Sequence, residues 1–247
     1  RVIEASIPRQ LEAVNRALIA IRSDIHYWNI QPHSRELANL RLRAFADAMP
    51  GVRTCMVIQP DGIVWASNRP ELIGMNFAKR DYFRTVRREP NIEKLYLNPP
   101  FQTVLGVFAM NVVKMVPDED GFFDGIVSAT LDPEEFSFLL DSVRNTPDMW
   151  TSIAHEDGIQ FLMVPPRPGM AGLRLDTEGS FFSQYRASGR SHSVMQGKVY
   201  ATGERRFIAM RSVNPDFLQL NKSLVVAATR DYELAFVSWW GNVKRLC

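Results

Sequence analysis

Two stretches of this sequence share one pattern: VIQPDGIVWAS at residues 57–67 and IAHEDGIQFLM at residues 153–163. Each places two β-forming runs around an Asp-Gly pair, which is a favoured turn of a β-hairpin. Two further pairs follow in the same order: VFAMNVV (107–113) with RFIAMRSV (206–213), and IVSATLDPEEF (126–136) with VVAATRDYELAF (225–236). The offsets between the matching stretches of these three pairs are 96, 100 and 99 residues. Because the offsets are nearly constant, they predict one structural unit used twice.

Each repeated unit contains about five strands in hairpins with a helix on either side. Strands that are joined by hairpins and covered by helices form an α+β layer. The helix at residues 132–143 is the clearest, because Asp132 is a favourable N-cap and Pro133 a favourable first helical residue. The predicted fold class is therefore α+β, with two similar units in sequence.

A long helix precedes the two units. Apolar residues spaced three or four apart over residues 3–28 predict a helix of roughly 40 Å. This near-heptad stripe could carry two domains as a spine, and it could also pair two chains. A second helix is predicted from Ser34 to before Pro50, with Leu37, Leu40 and Phe45 facing inward. The stripe consists of Ile3, Ile7, Leu11, Val14, Leu18, Ile21, Ile25 and Trp28.

The composition excludes several function classes. A net charge of +2 with scattered basic residues argues against a nucleic-acid partner. The four histidines show no metal-binding spacing, and no nucleophile elbow or phosphate-binding glycine loop is present. We therefore expect no catalytic residues, no metal and no cofactor. The acidic turn at 118–120 is a solvated hairpin tip, with a weak cation site as the less favoured alternative.

The two copies differ at two positions that matter for chemistry. Arg80 aligns with Glu178 or Gly179, and Tyr82 aligns with Phe181, so the second copy lacks a guanidinium and a phenol. An arginine fork matches a carboxylate, and a tyrosine adds a hydroxyl donor. The alternative for Arg80 is a surface ion pair with a neighbouring carboxylate. Apolar walls for such a pocket are predicted at Trp65, Phe83, Tyr96 and Phe101.

The sequence resembles the tandem PDC or double-Cache sensor domains of bacterial histidine kinases, diguanylate cyclases and chemoreceptors. The residues that carry the resemblance are Asp61, Gly62 and Ser67, then IGMNFAKRDYF (73–83), then GFFDGIVSATLDPEEF (121–136). The resemblance covers essentially the whole chain. It implies two PAS-like units after the long helix, outside the cytoplasmic membrane, with the ligand in the membrane-distal first unit.

The resemblance also implies site residues. In the amino-acid-binding members an arginine and two aromatics, here Arg80, Tyr82 and Phe83, hold the carboxylate. The acidic residues that hold the amine would fall at Thr130 and Thr103, where this chain has no carboxylate. A small organic acid is therefore the favoured ligand. Lys114 could supply a second cation, and Met110 leaves a larger apolar ligand open.

These observations predict a periplasmic ligand-sensing module that shifts the N-terminal helix, pairs as a homodimer through it, and signals to a cytoplasmic output domain. Transmembrane helices are expected on both sides, and Trp239 and Trp240 are compatible with an approach to the membrane. A ligand-free transmission module and a secreted enzyme are the alternatives. The expected parts are a helical spine (1–49), a distal unit (50–145), a proximal unit (146–230) and a C-terminal helix (231–247).

Overall fold

A computed structural model of the chain describes residues 2–28, 33–106 and 108–236. Helix α1 spans Val2–Trp28 and helix α2 spans Ser34–Ala48, as the spacing of apolar residues predicted. Six residues of the predicted stripe are buried within this one chain. The stripe is therefore not free to pair two chains, and a homodimer through α1 would need other residues of the helix. The buried six are Ile7, Leu11, Val14, Leu18, Ile21 and Trp28.

The inward face of α2 differs from the prediction. Leu37 is 48% exposed and Leu40 is 59% exposed, whereas Ala38 and Leu42 are fully buried. The helix contacts the first two strands of the first sheet, and Ala38 and Leu42 lie on its buried face while Leu37 and Leu40 face outward. Helical spacing alone cannot separate two stripes that lie side by side on one helix.

The first sheet has six strands, and two helices follow its strands along the chain. Its main path runs β2-β1-β6-β5-β3, and β4 pairs separately with β5. All pairings are antiparallel. The elements are β1 (Val52–Ile58), β2 (Val64–Ser67), α3 (Asp81–Arg88), β3 (Tyr96–Leu97), β4 (Phe101–Gln102), β5 (Phe108–Pro117), β6 (Phe123–Leu131) and α4 (Pro133–Ser142).

The second sheet repeats the strand order of the first. It runs β8-β7-β11-β10-β9 and is antiparallel throughout. The first and last long strands of each unit pair in the centre of its sheet, as the repeated sequences require. The elements are β7 (Trp150–His155), β8 (Gln160–Val164), α5 (Phe181–Ala187), β9 (His192–Lys198), β10 (Arg205–Val213) and β11 (Leu224–Asp231).

The Asp-Gly turns explain why both hairpins have the same shape. Gly62 has φ +87° and Gly158 has φ +80°, which only glycine adopts without strain. A Cβ on Gly62 would lie 2.5 Å from the backbone nitrogen of Ala78, so the turn also has no room for one. Phe77 N–H donates to the carbonyl of Gly62 at 2.7 Å, which ties the following loop to the turn.

The chain divides into two compact units. The first contains Ile3–Phe136 and also Asn214–Lys222; the second contains Ser137–Val213 and the described residues from Ser223 onward. In the first unit, Leu97 N–H donates to Asn221 Oδ1 at 2.7 Å and Leu95 N–H donates to the carbonyl of Gln219 at 2.8 Å. A segment from late in the sequence is thus part of the early unit.

Residues 232–236 are helical, and the rest of the predicted C-terminal helix, with Trp239 and Trp240, lies outside the described residues. Among the helices that the structure describes, none is both long and apolar enough to cross a membrane.

Candidate functional site

A small pocket lies in the first unit between the sheet and the start of α3. Its volume is about 30 Å³. Three strands of the sheet contribute to it through Thr54 of β1, Asn111 of β5 and Thr130 of β6. The loop before α3 and the segment that begins with β4 close it from the other side, through Phe77 and Phe101 among others. The pocket is therefore built from parts of the chain that are far apart in sequence.

The glycine loop before α3 is fixed to the edge of β2 by backbone hydrogen bonds. Val64 N–H donates to the carbonyl of Met75 and Gly74 N–H donates to the carbonyl of Val64, both at 2.9 Å. Arg80 N–H then donates to the carbonyl of Phe77 at 2.9 Å. These bonds hold Arg80 at the N-terminal boundary of α3, where its backbone is extended (φ −72°, ψ 139°).

Arg80 lines the pocket and is half-buried. Its Cζ atom lies 5.7 Å from the ring centre of Phe77 and 5.6 Å from that of Phe101, within the range of cation–π attraction. No carboxylate in the described part of the chain forms an ion pair with it; Asp81 pairs with Arg84 at 3.9 Å instead. The surface ion pair that was the alternative for Arg80 is therefore absent from the described residues.

Tyr82 is 3% exposed and also lines the pocket. Its ring centre is 5.5 Å from that of Phe101 and 6.5 Å from that of Phe77. Burial raises the pKa of the Tyr82 phenol well above its usual value, and the nearby Arg80 only partly opposes this rise. The phenol therefore stays protonated at any physiological pH and can act as a hydrogen-bond donor.

Two polar residues form the floor of the pocket. Asn111 of β5 lies opposite Thr130 of β6, and the Thr130 hydroxyl donates to Asn111 Oδ1 at 2.7 Å. Asn111 is fully buried, and its Nδ2 has no hydrogen-bond partner among the described residues. A buried donor without a partner is costly, so a bound acceptor at this position would be favourable. Sequence analysis missed Asn111, although a lone amide in an apolar strand is a usable signal.

A second arginine, Arg53 of β1, also lines the pocket and was not predicted. Its Nη1 is 3.5 Å from Asp132 Oδ2, so its charge is partly neutralised. A positive charge inside an otherwise apolar strand was the signal that could have identified it. The described lining residues include these two arginines and no carboxylate.

Four of the nine predicted site residues line this pocket: Arg80, Tyr82, Phe101 and Thr130. Thr103, the other position of a missing carboxylate, lines it as well. The remaining five lie elsewhere, and strand alternation explains three of them. On β5, Asn111 faces the pocket while Met110 and Lys114 point to the opposite face of the sheet.

Lys114 donates from Nζ to Asn15 Oδ1 of α1 at 3.2 Å and to the carbonyl of Glu93 at 3.0 Å. Trp65 of β2 likewise lies on the face that contacts α1, with its ring centre 6.1 Å from that of Trp28. Lys114 and Trp65 lie on strands, as predicted, but their side chains point to the face of the sheet opposite the pocket.

Phe83 and Tyr96 are buried in the core beneath α3 and do not line the pocket. The ring centre of Phe83 is 5.6 Å from that of Phe123, and Phe83 has no exposed surface. The Tyr96 hydroxyl donates to the carbonyl of Glu89, the residue after α3. These aromatics fix the position of α3, and their contribution to the pocket is indirect.

The described residues contain no group of three or more His, Cys, Asp and Glu side chains that could hold a metal ion. The acidic turn that was considered as a weak cation site uses its first carboxylate internally. Asp118 Oδ1 accepts the N–H of Asp120 at 3.0 Å and that of Phe122 at 2.8 Å. This pattern stabilises the hairpin tip.

No protein-family model matches the chain, and no curated protein matches it. Solved structures do resemble it. The extracellular domain of the histidine kinase rpHK1S-Z16 has a TM-score of 0.75 at 22% identity, covering 92% of this chain and 90% of that one. The periplasmic sensory domain of the Campylobacter jejuni chemoreceptor Tlp1 has a TM-score of 0.73 at 13% identity, covering 95% and 93%.

A third similar structure is the ligand-binding domain of the Pseudomonas aeruginosa PAO1 amino-acid chemoreceptor PctB, in complex with L-Arg. Its TM-score is 0.67 at 13% identity, with 96% of this chain and 92% of that chain covered. All three cover nearly the full length of both partners. The chain therefore has the tandem PAS-like fold, of the PDC or double-Cache type, that histidine kinases and chemoreceptors use in their sensor domains outside the membrane.

Proposed function

We propose that this chain is the extracytoplasmic sensor domain of a bacterial transmembrane receptor, and that its first unit binds a small carboxylate. The observation that carries the proposal is the pocket cation. Arg80 is half-buried between two aromatic rings and has no ion-pair partner among the described residues. A desolvated guanidinium without a counter-charge favours an anionic ligand.

The other polar groups of the pocket support an acceptor ligand. Tyr82 presents a protonated phenol, and Asn111 presents an unpaired amide donor. An arginine fork and two neutral donors together match the two oxygens of a carboxylate and one further oxygen on the same molecule.

An α-amino group would find no such match, because no carboxylate lines the pocket in the described residues. Two proteins of similar structure are known with amino acids, PctB with L-Arg and the Pseudomonas fluorescens receptor CtaA with L-leucine. We therefore propose that this chain differs from them and selects organic acids without an amine. The pocket volume of about 30 Å³ equals the space of roughly two waters, so it encloses about one carboxylate group, and the remainder of acetate, lactate or pyruvate would lie toward the exposed Val104 and Leu105.

Signal relay completes the proposal. Ligand binding would hold α3 and the glycine loop closer to the sheet, and the change would reach the membrane through α1. A homodimer, flanking membrane helices and a histidine kinase or diguanylate cyclase output domain belong to the same proposal. Because the apolar stripe of α1 is buried, dimer contacts would use the outer face of that helix.

The test is a thermal-shift screen followed by calorimetry with acetate, propionate, lactate and pyruvate, and with alanine and leucine for comparison. Ligand at 100 times its Kd stabilises a protein by about 2.7 kcal/mol. For a domain of this size that corresponds to a Tm increase of roughly 5–10 °C. Organic acids should produce the shift, and the amino acids should not.

Arg80→Ala should abolish the shift. Arg84→Ala is the matched control, because it removes the same charge from the same helix at an exposed position outside the pocket. No response to any compound would favour the ligand-free transmission module, and chemical turnover of a compound would favour an enzyme. Equal shifts in the Arg80→Ala and Arg84→Ala proteins would rule out the proposed site.

A further inference from the structure

A second and larger pocket lies in the second unit. Its volume is about 90 Å³, three times that of the first pocket. It lies between α5 and the sheet strands β7, β10 and β11, the positions that correspond to α3, β1, β5 and β6 in the first unit. Duplication therefore preserved a cavity at the same place in both folds.

Strand register shows which residues of the two pockets correspond. In the first unit Thr54 and Asn111 both lie beside Thr130. In the second unit the residues beside the equivalent Thr229 are Trp150 and Ile208. A hydroxyl and an amide of the first pocket are thus replaced by an indole and an aliphatic side chain in the second.

The residues on the helix side of the second pocket are also less polar than those of the first. Phe181 stands where the first unit has Tyr82, and Gly179 stands near the position of Arg80. Every described residue that lines the second pocket is uncharged. The second pocket has therefore become apolar without being filled, which is unusual for a site that serves packing alone.

One wall of this pocket is held firmly in place. The Trp150 ring lies between two guanidinium groups, with Arg206 Cζ at 3.5 Å and Arg167 Cζ at 3.6 Å from its centre. Arg206 Nε also donates to Thr229 Oγ1 at 2.9 Å. Trp150 therefore cannot easily move to close the space.

One buried side chain of the lining has an unpaired polar group that a ligand could reach, beside the more exposed hydroxyls of Ser152 and Tyr200. Gln160 lines the pocket, is 3% exposed, and its Nε2 has no hydrogen-bond partner among the described residues. The hydroxyl of Ser180, in contrast, donates to the carbonyl of Leu175 at 2.6 Å. A buried amide without a partner beside apolar walls fits a molecule that brings one oxygen atom and little other polarity.

We propose that the second unit binds a small uncharged molecule, mostly apolar, that carries one carbonyl or hydroxyl oxygen. Its oxygen pairs with the Gln160 amide, and its carbon skeleton lies between Trp150 and the apolar side chains of β10 and β11. A cavity of 150 Å³ accommodates the six carbons of benzene, so about 90 Å³ encloses roughly four heavy atoms, and the rest of a larger ligand would lie toward the exposed Tyr200 at the edge of the pocket. The site is independent of the carboxylate site, and the chain would then respond to two chemically different ligands.

The test uses cyclopentanone as probe, with sodium acetate as the comparison, in calorimetry and ligand-observed NMR on the intact chain. The wild type should bind cyclopentanone saturably. Gln160→Leu removes the hydrogen bond but keeps the approximate volume, and it should weaken binding about tenfold. Ala227→Leu places three additional carbons in the pocket and should abolish binding, because Ala227 lines it directly.

Arg80→Ala is the control and should leave the Kd for cyclopentanone unchanged, since Arg80 belongs to the other pocket. Circular dichroism verifies that each variant is folded. If Ala227→Leu unfolds, Gln160→Leu decides the question. It removes an amide whose Nε2 is unpaired, so it should not destabilise the fold. Absence of saturable binding, equal affinity in Gln160→Leu, or loss of affinity in Arg80→Ala would each overturn the proposal. Failure of the acetate arm alone would count against the carboxylate site and leave this one standing.

Discussion

Lys114 provides a quantitative test of the packing between α1 and the first sheet. Its side chain is 2% exposed, and its ammonium group donates to Asn15 Oδ1 and to the carbonyl of Glu93. Burial, together with a smaller contribution from the nearby Arg22 charge, lowers the pKa of Lys114 from 10.5 to about 8, although the Glu93 carboxylate partly opposes them. The folded chain therefore holds this proton less tightly than the unfolded chain does.

The sign of the pH effect follows from that difference. A lysine whose pKa is lower in the folded state destabilises the fold fully below about pH 8, and the penalty decreases as the pH rises toward 10.5. A pKa difference from 10.5 to about 8 corresponds to roughly 3 kcal/mol. Between pH 7 and pH 10 the change amounts to about 2–3 kcal/mol, because the unfolded chain is still largely protonated at pH 10.

The assay is urea denaturation of the wild type and the Lys114→Met protein at half-unit steps from pH 7 to pH 10. Methionine keeps the length of the side chain and removes the charge. Other groups titrate in both proteins, so the difference between their free energies of unfolding isolates Lys114. The advantage of the Lys114→Met protein should be largest at pH 7 and should fall by about 2–3 kcal/mol by pH 10.

Lys79→Met is the control, because it makes the same replacement at an exposed position of the first unit. Parallel pH profiles for the wild type and Lys114→Met would refute the reasoning. They would mean that water reaches the ammonium in solution and that the contact between α1 and β5 is looser than described.

Three further substitutions test other parts of the structure. Gly62→Ala and Gly121→Ala share a φ of +87°, but only at Gly62 would the new Cβ meet backbone atoms, at 2.5 Å. Thermal denaturation should therefore show Gly62→Ala less stable than Gly121→Ala by about 2 kcal/mol. Arg206→Met removes the buried partner of Glu204, Thr229 and the Asp148 carbonyl, and should cost about 2–4 kcal/mol in the free energy of unfolding; a loss below 1 kcal/mol would contradict the assigned contacts. Asn111→Leu removes the acceptor of the buried Thr130 hydroxyl and should cost about 1–2 kcal/mol in the free energy of unfolding, while calorimetry should show at least a tenfold weaker affinity for the organic acid. Unchanged affinity would exclude Asn111 from the site.

The sequence predicted the repeated unit because hairpin turns constrain it strongly. Asp-Gly at 61–62 and again at 157–158 requires a positive φ at the glycine, and both glycines adopt it. The apolar runs on either side then pair in the only order that buries them. Periodicity also located α1, since 27 residues of helix need a continuous apolar stripe.

The pocket was predictable only in part, because sequence identifies a strand more readily than the face to which a residue points. Lys114 and Asn111 lie three positions apart on β5, so their side chains point to opposite faces of the sheet. A one-residue change in the assumed register would have reversed that assignment. Arg53 was missed for a different reason: its charge in an otherwise apolar strand is a local signal, but its place in the pocket depends on the pairing of β1 with the distant β6.

The alignment of the repeats contained a related error. The offset of 100 residues between the fifth and tenth strands places Asn111 at Arg211, whereas strand pairing beside Thr130 and Thr229 places it at Ile208. Short apolar runs can be aligned in several registers with similar quality. The hydrogen-bonded pairing of each strand with its neighbour in the sheet decides which alignment of the two repeats is structurally correct.

The segment Asn214–Lys222 belongs to the first unit, although both of its flanking strands belong to the second. Anyone dividing this protein for expression would therefore find no clean cut: a fragment ending near residue 145 would lose the partners of Leu95 and Leu97. The same arrangement limits recombination during evolution. Neither half can be exchanged with that of another protein unless the incoming half supplies an equivalent of the nine-residue segment Asn214–Lys222.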